Sequence, residues 1–109
     1  MSFRVNLLQE AEDDILEIYK YIALQDSLGN AENLFDNLYK KCISLRDFPN
    51  RGHVPPELIG VNESYLEILY KPYRIIYQII NDNVFIHCIL DGRREMRKLL
   101  EERLLRRET

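Results

Sequence analysis

Tyr65-Leu66-Glu67-Ile68-Leu69-Tyr70, Tyr73-Arg74-Ile75-Ile76-Tyr77-Gln78-Ile79-Ile80 and Val84-Phe85-Ile86-His87-Cys88-Ile89-Leu90 are three runs dominated by β-branched and aromatic side chains, and they decide the fold. Such residues fit a pleated, half-buried surface, so each run predicts a strand. Between the second and third runs stand Asn81-Asp82-Asn83, residue types that accept positive φ at little cost, and the expected connection is a tight hairpin. Lys71-Pro72 separates the first run from the second, because proline gives no N–H to a ladder and restricts the residue before it. The expectation is an antiparallel meander with one strongly apolar side. Alternation places Arg74, Ile76 and Gln78 on one side of the second strand, and Tyr73, Ile75 and Tyr77 on the other. The same rule groups His87 with Phe85 and Ile89, opposite Ile86 and Cys88.

Outward from the meander the period changes. Phe3-Arg4-Val5-Asn6-Leu7 alternates and predicts a short first strand. From Gln9, Ala11, Ile15, Ile18 and Ile22 recur at helical spacing, with Tyr19 widening the stripe. Glu10, Glu12, Asp13 and Asp14 crowd the first turn, where negative charge complements the helix dipole; they read as helix-end electrostatics and not as a metal site. Gln25 to Asn30 is a loop, with Gly29 or Asn30 starting a second helix that carries Ala31, Phe35, Leu38, Cys42 and Leu45 inward and runs to about Asp47. The two helices form a hairpin whose apolar face requires the sheet as its partner. Phe48 to Leu58, with three prolines and one glycine, is an irregular linker. After Asp91-Gly92, Leu99, Leu100, Leu104 and Leu105 are spaced for a helix from about Arg94 to Arg107, which either packs on the sheet edge or receives a partner. The fold class expected is α+β: a two-helix hairpin on a small, mainly antiparallel four-stranded sheet with a C-terminal helix, residues 1–109 forming a single domain.

With 46% hydrophobic and 30% charged residues the chain has the composition of a folded protein and not of a disordered one. Cys42 and Cys88 lack metal-ligand spacing and read as reduced core residues. No charged-then-apolar leader follows Met1, and no apolar run approaches the ~20 residues of a membrane span, so a cytoplasmic protein without a membrane partner is expected. The net charge of −3 hides an asymmetry: residues 1–70 hold six Lys and Arg against twelve Asp and Glu, residues 71–109 nine against six. The basic portion begins within the meander and includes the tail, which suits a local anionic partner while the overall acidity argues against a strong nucleic-acid binder.

No glycine-rich phosphate loop, zinc spacing or nucleophile elbow occurs, and neither a cofactor nor a metal is expected. What remains is a basic cluster, Lys71, Arg74, Arg93, Arg94 and Arg97, with Tyr73 and other tyrosines between its members. Arg74 either joins Arg93 and Arg94 in gripping an anion, or it snorkels or pairs with Glu67 or Asp91. His53, in the linker beside Arg51, has the chemistry of a general acid or base but reads first as an exposed loop histidine; His87 reads as a half-buried structural one. The cluster suits two chemistries: stabilising charge on a phosphorane during metal-free RNA cleavage, or binding an acidic protein surface.

Taken together, the order of elements, Phe48-Pro49-Asn50-Arg51-Gly52, Pro55-Pro56-Glu57-Leu58, Lys71-Pro72-Tyr73-Arg74 and Gly92-Arg93-Arg94-Glu95 resembles the RelE/ParE superfamily of type II toxin–antitoxin toxins over nearly the full chain, and its ParE, or plasmid-stabilisation, branch more than RelE. The resemblance implies a cognate antitoxin partner. In RelE-type members it implies mRNA cleavage on the ribosome by lysines, arginines and a C-terminal tyrosine; Arg74 and Arg94 match the two arginines. Tyr65 and Glu67 stand where the lysines would be, and Leu100 where the tyrosine would be. ParE-type members instead poison DNA gyrase by binding, which needs no catalytic residue in the toxin, and that is the activity the resemblance implies here, with Lys71, Tyr73, Arg74, Arg93, Arg94 and Arg97 as the contact residues.

Overall fold

A computed structural model describes residues 2–105, and in it the three β-rich runs form one ladder. Strand β1 (Arg4–Leu7) is followed by α1 (Gln9–Gln25), α2 (Leu28–Ile43), β2 (Leu66–Tyr70), β3 (Tyr73–Ile80), β4 (Asn83–Asp91) and α3 (Met96–Leu100). A π-helical turn, Glu101–Leu105, continues α3; the expected helical residues 106 and 107 lie outside the described residues. The sheet order is β1-β4-β3-β2. Both meander pairings are antiparallel, whereas β1 lies parallel to β4, Arg4 opposite Asn83 and Leu7 opposite Ile86. The α+β class and the mainly antiparallel sheet are as expected.

Local chemistry explains the connections. Asn81, at φ 56°, takes the left-handed position of the two-residue β3–β4 turn, and Lys71-Pro72, joined by a cis peptide, turns β2 into β3. The second helix starts one residue before Gly29. Ser27 is its N-cap, its hydroxyl accepting from Asn30 N at 3.0 Å, because a side-chain oxygen satisfies an orphan amide that glycine cannot. That helix ends at Ile43 and tightens into a 3₁₀ turn over Ser44–Arg46.

Both faces of the sheet are covered, which corrects the expectation of a single apolar side. Ala11 and Ile15 of α1, with Leu38 and Cys42 of α2, bury Ile68, Tyr73, Ile75, Tyr77, Val84, Ile86 and Ile89. On the opposite face Leu58, Tyr65, Met96 and Leu100 bury Ile76, Cys88 and Leu90. The C-terminal helix therefore packs on the face of its own sheet, not its edge. Strict alternation fails in β4: Ile76 pairs with Cys88 but Tyr77 with Ile86, leaving His87 as the extra residue of a β-bulge. The bulge resets the parity, so Ile86 and Ile89 face the helices together while Cys88 faces the tail, in place of the predicted grouping of Ile86 with Cys88.

The tail is fastened at its far end. Among the described residues β4 has no strand on its β1 side beyond Ile86, and Asp14 Oδ2 from α1 accepts Ile89 N at 2.9 Å. Arg103 Nη2 reaches the same oxygen at 2.7 Å while its Nε donates to Glu10 at 2.8 Å. Burial raises the pKa of Asp14, and the Arg103 guanidinium opposes that rise. Burial also pushes both thiols up to about 12, so Cys42 and Cys88 are inert core groups. No helix is long and apolar enough to cross a membrane among the described residues.

Candidate functional site

Arg74 lies on the tail-facing side of β3, as alternation requires, and all three of its donor nitrogens are engaged. Its Nε donates to Glu67 Oε1 at 2.7 Å; its Nη1 and Nη2 hold Glu57 as a fork, at 3.0 and 2.6 Å. Glu67 comes from β2, two residues from Leu69, the register partner of Arg74, and Glu57 from the 3₁₀ turn Pro56–Leu58, anchored by buried Leu58. The stem of Arg74 lies against the backbone at Gly92, where an added Cβ would come within 2.8 Å of Arg74 Cδ. Glycine at 92 is thus what lets the guanidinium reach both carboxylates.

The network continues outward. Glu67, only 2% exposed, accepts at Oε2 from His53 Nε2 at 2.8 Å, and the backbones of His53 and Glu67 form an isolated antiparallel bridge. His53 itself is exposed, its side chain 56% accessible. The linker is pinned beside it by Tyr77, whose hydroxyl donates to Pro49 O at 2.6 Å; a Cβ on Gly52 would stand 2.7 Å from Glu67 O. A guanidinium with two carboxylates is a charge-assisted network, so Arg74 stays protonated well above the ordinary arginine range, the Glu57 bond being the main cause, and Glu57 is held below the usual carboxylate range by Arg74.

Of the two readings of Arg74, pairing with Glu67 is therefore the one realised, and the free cation is not. Tyr73 departs from its expected place in the binding surface too: at 7% exposure it packs under the helix hairpin, the side opposite Arg74. Arg93 is exposed and closes on its neighbour Asp91, Nη2 to Oδ2 at 2.7 Å. Lys71, Arg94 and Arg97 are exposed, and among the described residues none of them has an ion pair. His87 is half-buried, its ring edge-on to Tyr65 at 5.1 Å and its Nε2 donating to Gln78 Oε1 at 2.8 Å; burial lowers its pKa. His53 and His87 belong to separate networks. Among the described residues no group of three or more His, Cys, Asp or Glu is placed to hold a metal.

Glu57, Asp14 and Arg103 escape the sequence reading. Glu57 sits in a proline-rich linker without periodicity. The available signal was Glu67, a carboxylate inside an apolar run, which demands a cation on the same face of the neighbouring strand.

A helix hairpin on one face of a mainly antiparallel four-stranded sheet and a short helix on the other define the small toxin fold of the RelE/ParE type. The chain superposes on a chain of the chromosomal ParDE toxin–antitoxin system of P. aeruginosa with a TM-score of 0.69 at 13% identity, covering 81% of this chain and 94% of that one. The RelBE2 toxin–antitoxin complex of Mycobacterium tuberculosis gives 0.60 at 16% identity over 84% and 92%, and a double-arginine mutant of the E. coli toxin RelE in its free state 0.63 at 14% over 96% and 97%. No curated protein matches by sequence. The family of the ParE toxin of the type II toxin–antitoxin system parDE matches residues 5–96. The chain belongs to that family, and is a type II toxin of the ParE/RelE superfamily.

Proposed function

We propose that this toxin acts as a ParE-like poison of DNA gyrase by binding, without cleaving RNA. The observation that carries the reading is the fate of Arg74. RNA cleavage of the RelE type asks for an arginine open to a developing phosphorane charge, and here both edges of the guanidinium are taken by Glu57 and Glu67. The match of the ParE family supports the same branch. The contact surface is the exposed cationic rim Lys71, Arg93, Arg94 and Arg97, with Arg74 and Tyr73 supporting it from within.

A cognate antitoxin neutralises the toxin, covering that rim with an acidic segment; similar folds occur in solved ParDE and RelBE systems. The site of action is the cytoplasm, the unit is a single domain over residues 1–109, and no cofactor takes part. Purified toxin is tested in a gyrase supercoiling and cleavage assay and, in parallel, against mRNA on programmed ribosomes. Gyrase inhibition with intact transcripts is expected. Cut transcripts with unaffected gyrase would overturn the reading and move the function to a ribosome-dependent endonuclease, with Arg74, Arg94, His53 and His87 then the residues to test.

A further inference from the structure

Two carboxylates converge on one guanidinium at Arg74, and they are not equivalent. Glu67 is 3% exposed at its side chain, sits on the neighbouring strand and is held from the far side by His53; it belongs to the frame of the sheet. Glu57 is 20% exposed, comes from a short turn and takes the fork, the two-nitrogen edge that matches a phosphate or carboxylate in geometry. Helix α3 packs against the same turn. The Glu57 carboxylate therefore fills the position that an external oxyanion would take on the Arg74 fork.

We propose that Glu57 is the resident occupant of an oxyanion slot formed by the Arg74 fork, and that it closes this slot to phosphate groups. The ligand class excluded is the phosphate oxyanion, whether free or carried by a nucleic acid. The consequence is a toxin whose Arg74 is silenced from within, leaving recognition to the exposed side chains of the rim. The slot and its plug require neither an antitoxin nor gyrase, so their test stands apart from the function proposed above.

The experiment compares the full-length wild type with Glu57→Ala and Glu57→Gln, each titrated with inorganic phosphate and separately with a uridine hexanucleotide, following the arginine Nε–H resonances by NMR. The β3–β4 ladder does not involve residue 57, so unchanged backbone amide resonances of these strands report an intact sheet in each variant. Loss of one bidentate charge-assisted partner predicts a gain in affinity for at least one of the two probes of about tenfold or more over wild type. Binding of both probes assigns the slot to phosphate in general; binding of the hexanucleotide alone assigns it to nucleic acid. Adding Arg74→Lys to the Glu57 variant, which keeps the charge beside Glu67 but not the fork, is expected to remove most of the gain. Should Glu57→Ala fail to fold, Glu57→Gln, which keeps the shape of the side chain, carries the same comparison. Affinities within about twofold of wild type for both probes, or a gain that survives Arg74→Lys, would overturn the proposal.

Discussion

The two faces of the sheet are covered by elements of very different kind. The helix-facing side is covered by two helices of 17 and 16 residues whose apolar stripes meet fully buried Ile75, Tyr77 and Ile86. The tail-facing side is covered by single turns: Pro56–Leu58, five residues of α3 and the π turn, held by Leu58, Met96 and Leu100 and by ion pairs at either end. One side is stabilised by area and the other by a few anchors, so damage should spread on the first and stay local on the second. The Arg74 network with Glu57 and Glu67 lies on the second side.

Arg74→Ala carries the largest expected effect, because it strands the buried Glu67 carboxylate. Breaking such a pair from one side costs about 3–5 kcal/mol, read as a fall in the urea midpoint. A drop under about 1 kcal/mol would mean that water already solvates Glu67 and that the network is ornamental. Activity lost in this variant therefore says nothing about target contact unless its folding is measured beside it. Leu38→Ala tests the helix side: with the side chain fully buried, about 2–5 kcal/mol is expected, with hydrogen exchange accelerated throughout the sheet. Leu100→Ala, equally buried, is expected to lose protection mainly over Met96–Leu105 while α1 and α2 keep theirs. Uniform loss in both variants would abolish the contrast between the faces.

Arg103→Ala releases the clamp on Glu10 and Asp14 at a cost of about 1–2 kcal/mol, and should open the same tail segment in exchange measurements. His87 gives the smallest effect and a direction. Its folded pKa lies below the ordinary histidine value, so above about pH 6.5 both states are neutral and its contribution is complete. As pH falls through that value the unfolded chain takes up the proton first, and stability declines until the folded pKa is passed. Between pH 7.5 and 5.5 the wild type should therefore lose stability relative to His87→Gln; a difference independent of pH would contradict the assigned burial.

Most of the scaffold was legible because its signals are local. The three β-rich runs, the Asn81 turn and the spacing of Ala11, Ile15 and Ile18 each declare an element within a few residues. Three features were not legible, and each depends on contacts far apart in the chain. The bulge at His87 follows no local rule and inverted the expected parity of Ile86 and Cys88. The covered second face needed Leu58 and Met96 to arrive from either side of the meander. The occupant of Arg74 came from Glu57, seventeen residues away in a linker whose sequence announces only that it is irregular. Residue type predicted that Arg74 would be held or would grip; only the tertiary placement of two glutamates decided between them.

The parallel pairing of β1 with β4 has a bearing on synthesis. The strand that emerges first waits for the one that emerges last, since β4 lies between β1 and β3 and spans Asn83–Asp91. A nascent chain halted before that point holds a helix pair and a lone hairpin but no platform to join them, so the toxin cannot mature piecemeal on the way out of the ribosome. A cell making it therefore meets no half-built form with the finished surface.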